Sequence, residues 1–172
     1  MEIQELVRAL SALPAATLYE GMGKVGAIHH KIRPLSTGFR LAGIAYTIRI
    51  LPGETLAVLR AIEEAPVGSV LVIDTSGDGE SAVWGGTSSL AAKVRGLAGC
   101  VTNGLVRDLD DLIGIGVPIY AAGVTVTGTL KEHPGWVGIP VSIGGQVVRP
   151  GDLLIGDADG VVVIAQDLAQ DA

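Results

Sequence analysis

Three short runs of aliphatic residues recur through the middle of the chain: Ser69–Asp74 (SVLVID), Leu97–Thr102 (LAGCVT) and Val117–Ala121 (VPIYA). A continuous apolar run of this length, bounded by Gly or Pro, reads as a strand covered on both faces. Helix-length segments lie beside and between them. Thr55–Ala65 carries apolar Leu56, Leu59, Ala61 and Ile62. Thr87–Arg95 has Thr87 or Ser88 as its N-cap. Asp108–Ile115 opens on acids that suit a helix dipole. Strand, helix, strand, helix, strand at such spacing argues for parallel βαβ units and an α/β fold.

The flanks read differently. Glu2 to about Gly21 places Ile3, Leu6, Val7, Leu10 and Leu13 on one helical stripe, broken at Pro14. A loop from Lys24 to Ser36 follows, then a strand over Arg40–Ile50. In the last third, Ile139–Ile143, Gln146–Val148, Asp152–Ile155 and Gly160–Ile164 are short strands, and Gly144-Gly145 is a hairpin signal. This part is β-rich and expected to be antiparallel. No linker or repeat separates it from the βαβ part, so residues 1–172 are expected to form one domain around a shared core. With 48% hydrophobic but only 3% aromatic residues, that core must be aliphatic.

Charge and composition remove several function classes. The net charge is −6 and no Lys/Arg cluster exists, which argues against nucleic acid. The single cysteine, Cys100, lies in an apolar run and reads as an inert buried thiol. The first residues lack the pattern of a secretory signal, and no apolar run approaches the roughly 20 residues needed to span a bilayer. No membrane role and a cytoplasmic location are expected.

Ligands collect outside the carboxyl ends of strands in open α/β sheets. Asp74 with its polar loop, Asn103-Gly104 leading to Arg107-Asp108, and the loop after Tyr120 mark three such ends. The helix starting near Thr87 adds a positive N-terminus. Arg107 could grip a carboxylate, Asp108 could hold a hard divalent cation, and Asp111 lies one turn further on. Spacing alone favours a plainer reading, in which Arg107-Asp108 is a surface pair and the acids cap a helix.

The segments Ala82–Gly86, Ala91–Gly99 and Asn103–Asp108 change that balance. With Ile32–Leu35, Pro52–Leu56, Val148–Asp152 and Gly156–Val161, they resemble the RraA-like family in order over nearly the whole chain. That group contains the regulators of ribonuclease E activity and the class II 4-hydroxy-4-methyl-2-oxoglutarate aldolases. Some members were once labelled demethylmenaquinone methyltransferases, but no Gly-rich turn after a first strand opens this chain.

The resemblance implies a β/β/α swivelling-domain fold and a ring-shaped homotrimer, or a hexamer of two rings, with the site between subunits. It implies a lyase that cleaves or decarboxylates small 2-oxo acids through a metal-stabilised pyruvate enolate. By position, Arg107 would bind the substrate carboxylate or enolate. Asp108 would hold Mg²⁺ or Mn²⁺. The amides of Gly85, Gly86, Thr87 and Ser88 would cradle the carboxylate. Asp111 matches an extra acid of the aldolases and would order the water that acts as base. The alternative is a non-catalytic regulator of a ribonuclease E-type partner. Gly86 and Asn103 stand where many members carry an acid. Only Ala165–Ala172 follow Ile164, a length nearer that of the regulators.

Other polar groups have plain readings. Adjacent His29 and His30 should point apart and be solvated or lie at an interface. His133 belongs to a surface turn. Gly77-Asp78-Gly79 and Asp157–Gly160 are turns. Trp84 and Trp136 belong to core or interface, and Asp74 is a candidate for lining the cleft.

Overall fold

The computed structural model describes residues 3–77 and 79–169. The order is α1 (Ile3–Ser11), α2 (Ala15–Gly21), β1 (Arg33–Pro34), β2 (Leu41–Arg49), α3 (Leu56–Glu64), β3 (Ser69–Asp74), β4 (Ala82–Trp84), α4 (Gly86–Arg95), β5 (Gly99–Thr102), β6 (Leu105–Val106) and α5 (Leu109–Ile115). There follow β7 (Ile119–Ala121), β8 (Gly123–Val124), β9 (Trp136–Val137), β10 (Val141–Ile143), β11 (Gln146–Val148), β12 (Leu153–Gly156), β13 (Val161–Ile164) and α6 (Gln166–Ala169).

The expected βαβ units form the centre of the main sheet, whose order is β1-β7-β5-β3-β2-β12-β13 with β9 also on β2. β2, β3, β5 and β7 run parallel. The late strands β12 and β13 add antiparallel to β2, as the switch in sequence character suggested. Every residue of β3 and β5 is buried, which is why these strands read as unbroken apolar runs. Each fully buried Val, Leu or Ile contributes roughly 1.5–3 kcal/mol relative to exposure.

Helices α3, α4 and α5 cover one face through Ala57, Val58, Ala61, Ile62, Ala92 and Leu112. The β10–β11 hairpin closes the other face through Val141, Ile143 and Val148. Its turn needs left-handed backbone at two successive residues, and Gly144 (φ +51°) and Gly145 (φ +81°) supply it. The mixed α/β architecture, with its parallel centre and antiparallel flank, matches the expected fold class.

Five short strands depart from the sequence reading, β4 among them, because no strand is expected over Ala82–Trp84. β1 lies inside the expected loop, and β8 and β9 lie in a stretch with no strand pattern. β6 follows directly on the Asn103-Gly104 turn. β4, β6 and β8 form a separate three-stranded parallel sheet. Strands of two or three residues carry no readable period, so their pairing is decided by tertiary context.

Candidate functional site

The small sheet builds the site. β4 runs into Gly85 and the start of α4, and β6 runs into Arg107-Asp108 and the start of α5. Because β4 and β6 are parallel neighbours, these two strand ends emerge side by side. The Arg107 N–H donates to Trp84 O at 3.0 Å and fixes the junction. Trp84 is buried in the core and its indole Nε1 donates to Ser89 Oγ at 2.7 Å, tying β4 to α4.

α4 begins one residue earlier than the sequence suggests, at Gly86, with Gly85 as its cap. Neither Thr87 nor Ser88 caps it. Asp108 supplies the acceptor from a distance: its Oδ2 accepts the Gly86 N–H at 2.9 Å. Asp108 is itself the cap of α5, in left-handed backbone (φ +62°) that few residues other than Gly, Asn and Asp adopt. The approach is close. A Cβ on Gly85 would stand 2.8 Å from Asp108 Oδ2 and 3.4 Å from Arg107 Cγ, so any larger residue there would displace those two side chains.

Of the four amides expected to cradle a carboxylate, that of Gly86 is therefore already engaged. Those of Thr87 and Ser88 lie in the first helical turn, where an α-helix offers no internal acceptor. Gly85, Thr87, Ser88, Arg107 and Asp108 together line a cleft of about 150 Å³. Asp111 does not line it. Its carboxylate stands beside the cleft rim, with Oδ2 3.4 Å from where a Gly86 Cβ would be, and Asp108 Oδ2 is 3.5 Å from the same point. Arg107, Asp108 and Asp111 are all exposed.

Sequence reasoning missed Thr55, Leu59, Thr129 and Lys131, which line the cleft together with Ala82, Val83 and Trp84 of β4. Lys131 sits on an irregular strap between β8 and β9. Leu130 docks the strap on the turn before α3, donating to Gly53 O at 2.7 Å and accepting from Thr55 N at 3.0 Å. Glu54, only 8% exposed, accepts the N–H groups of Glu132 at 2.9 Å and His133 at 3.1 Å through Oε2. The Pro52–Leu56 segment thus holds the strap in place, which no local pattern announces.

Asp74 does not line the cleft. It is 5% exposed and pairs with Arg49 at 3.2 Å. It also accepts from Ser76 N at 2.9 Å, Asn103 Nδ2 at 3.2 Å and Ser142 N at 3.4 Å. Asn103 in turn accepts from Thr75 N at 2.9 Å. These two marked ends of the main sheet are closed by a structural network under the β10–β11 hairpin, and the cleft opens instead at the small sheet.

His29 and His30 are exposed as expected, but their rings stack at 4.2 Å instead of pointing apart. His133 accepts the Gly135 N–H on Nδ1 and lies against the ring of half-exposed Trp136. Asp157 Oδ2 accepts the Ala15 N–H, so its turn anchors α2. Of Gly77-Asp78-Gly79, Asp78 lies outside the described residues. Burial pushes the Cys100 thiol well up from its usual range, consistent with an inert core residue. No helix among the described residues is long and apolar enough to cross a membrane.

Among the described residues, no three His, Cys, Asp or Glu side chains gather as a metal cage. The two carboxylates of Asp108 and Asp111 flank the space in front of Gly86, and a hard, sparsely liganded pair of this kind fits a cation that keeps most of its waters.

Comparison with known proteins identifies the family. The family model described as RraA-like, Aldolase/RraA, matches residues 15–163. A Halalkalibacterium halodurans protein provisionally named 4-hydroxy-4-methyl-2-oxoglutarate aldolase is 35% identical over 160 residues, covering 93% of this chain and 76% of that one. A 4-hydroxy-4-methyl-2-oxoglutarate aldolase of Thermus thermophilus is 33% identical over 127 residues, 74% of this chain and 77% of its own. The structure of the RNA-processing inhibitor RraA from Thermus thermophilus superposes with a TM-score of 0.81 at 28% identity, covering 88% and 92% of the two chains. Sequence motifs, fold and these relatives agree: the chain belongs to the RraA-like family.

Proposed function

We propose that this protein is a lyase of small 2-oxo acids, of the 4-hydroxy-4-methyl-2-oxoglutarate aldolase and oxaloacetate decarboxylase type. The observation that carries the reading is the juxtaposition of Arg107 and Asp108 with the α4 N-terminus in one cleft, with Arg107 in no ion pair among the described residues.

In this reading the substrate carboxylate lies against the Thr87 and Ser88 amides and the positive end of α4. The guanidinium of Arg107 faces the 2-oxo oxygen and stabilises the negative charge that develops there. In cleavage, the 4-hydroxyl loses its proton, the C3–C4 bond breaks, and its electron pair forms the pyruvate enolate, which is then protonated at C3. In decarboxylation of oxaloacetate, the C3–C4 bond breaks, C4 leaves as CO₂, and the electron pair again remains on C3. Asp111, beside Gly86, orders the water that receives the hydroxyl proton. Asp108 and Asp111 would hold a divalent cation, Mg²⁺ or Mn²⁺, whose chemistry is to polarise the 2-oxo group.

A homotrimeric ring, or a hexamer of two rings, completes the reading. Leu90 and Val94 on α4 and Leu109 and Ile113 on α5, the two helices that start at the cleft, are exposed. A second copy packed there would bury them and close the cleft.

A second reading, a non-catalytic regulator of a ribonuclease, takes support from the likeness to the RNA-processing inhibitor. One experiment separates the two. The protein is stripped with chelator, and pyruvate release is followed from oxaloacetate and from 4-hydroxy-4-methyl-2-oxoglutarate, with and without Mg²⁺ or Mn²⁺. Metal-dependent release is expected, and its absence would sink the lyase reading. Arg107→Ala should lower kcat/KM by at least about 100-fold with the oligomer intact.

A further inference from the structure

We propose that Gly85 and Gly128 form a steric slot that aims Arg107 into the cleft, which makes Gly128 a positioning residue for the reaction. The inference rests on the 2-oxo acid reading of the cleft and adds how the arginine is held before substrate arrives.

Arg107 has no polar restraint. Among the described residues its guanidinium makes no ion pair and no hydrogen bond, and the residue is exposed. A long cationic side chain in that state samples many rotamers, and fixing it on binding costs conformational entropy. The backbone nevertheless closes on it from two sides. A Cβ on Gly85 would stand 3.4 Å from Arg107 Cγ and 3.6 Å from Nε, at the stem. A Cβ on Gly128 would stand 3.2 Å from Nη1, at the tip. Apart from the chain neighbours of Gly128, no other atom lies within 4 Å of that point.

Neither glycine is demanded by a left-handed backbone. Gly85 is extended, at φ −152°, and Gly128 has no positive φ. What the two missing side chains provide is room, and at Gly128 that room is taken by the Arg107 tip alone.

Both walls of the slot hang from one strand. Gly85 directly follows β4. Gly128 follows Thr127, whose carbonyl accepts the N–H of Ala82, the first residue of β4, at 2.9 Å. Two residues beyond Gly128, Leu130 is hydrogen-bonded in both directions to the Gly53–Thr55 turn. The strap is therefore anchored on either side of Gly128, and an added methyl group would move the guanidinium before it moved the backbone. A displacement of a few tenths of an ångström there misplaces the charge that faces the 2-oxo oxygen.

Two measurements on the full chain test the slot. The first needs no turnover. The side-chain Nε–Hε signal of Arg107, identified by its loss in Arg107→Lys, should show a higher NMR order parameter in the unliganded wild type than that of Arg8, which is also exposed and forms no ion pair. Gly128→Ala should shift the Arg107 signal and leave the melting temperature nearly unchanged. The second is pyruvate release from oxaloacetate in Mg²⁺ buffer. Gly128→Ala should lower kcat roughly tenfold with little change in KM, because the guanidinium acts on charge that develops during reaction. In an Arg107→Lys background, which lacks Nη1, the same substitution should cost less than about twofold.

An Arg107 signal as mobile as that of Arg8 overturns the proposal. So does a Gly128→Ala loss that persists in full beside Arg107→Lys, or a loss of folding that Arg107→Lys does not repair. If the signal is ordered and shifts as expected but the wild type releases no pyruvate, the lyase reading fails and the slot stands. Wild-type turnover that Gly128→Ala leaves unchanged gives the reverse.

Discussion

Asp108, the cap of α5, accepts the N–H of Gly86, the first residue of α4, at 2.9 Å. One carboxylate thereby ties together the starts of two helices that follow adjacent parallel strands, and it holds Arg107 beside them. The consequences of this bond can be measured at both ends.

At the α4 end, Gly85 and Gly86 should respond differently to alanine. A Cβ at position 85 would meet Asp108 Oδ2 at 2.8 Å, closer than van der Waals contact permits. At position 86 its nearest neighbours stand at 3.4 Å. Gly85→Ala is expected to lower pyruvate release by at least about tenfold, because Asp108 and Arg107 must shift. Gly86→Ala should fold normally, gaining about 0.5–1 kcal/mol from the better helix former. Steady-state kinetics and thermal melts of the two variants check this.

At the α5 end, the left-handed backbone of Asp108 sets the cost of replacement. Alanine there should lose about 1–2 kcal/mol from backbone strain, together with the bond to Gly86. Asn tolerates the same φ and keeps an acceptor, so Asp108→Asn should hold nearly wild-type stability and lose metal-dependent activity. Urea unfolding paired with an assay over a range of Mg²⁺ concentrations separates the two effects.

Asp74 is expected to matter for stability alone. Its removal strands half-buried Arg49 and the donors of Ser76, Asn103 and Ser142. Asp74→Ala should cost about 2–4 kcal/mol, discounted for the part-exposure of Arg49. The substrate KM of the surviving folded fraction should be unchanged. A KM shift as large as that of a cleft variant would contradict the placement of Asp74 outside the site.

Alkali should destabilise the fold through two buried acids. Burial raises the pKa of Cys100, and burial followed by the charge of Asp157 raises that of Tyr120. Both groups are neutral when protonated, so the fold favours the protonated forms. Their stabilisation is complete below the unfolded-state values and declines as pH rises past about 9. Melting temperatures between pH 8 and pH 11 should fall, and Cys100→Ala should flatten the first part of that fall. The native thiol should resist alkylation at pH 8 and react once urea unfolds the chain.

Much of this architecture is visible before any coordinates. SVLVID, LAGCVT and VPIYA announce buried parallel strands because both faces are covered, and Gly144-Gly145 announces its hairpin because only such residues accept the turn. Arg107 and Asp108 are legible through motif and position. What stays hidden is whatever depends on long-range pairing. Leu105–Val106 and Gly123–Val124 are too short to show a period, so the small sheet is invisible although it carries the site. Glu54 and Lys131 lie far apart in sequence, in different thirds of the chain, and nothing local links them. Asp74 illustrates the opposite error, since an acid at a strand end looks like a ligand site until its partners are known.

The small sheet also explains how one scaffold can serve different ends. β4, β6 and β8 contribute only Ala82–Trp84, Leu105–Val106 and Gly123–Val124, whereas most of the apolar burial lies in the main sheet and its covering layers. These short strands send Val83, Trp84 and Val106 into the principal core, while Arg107, Asp108 and the strap stand at the surface. Substitutions at the strap or at the two strand ends can retune or abolish chemistry without threatening folding. Within such a lineage, catalysis can be surrendered and the surface recruited for another purpose, and the shape of the molecule will not record the change.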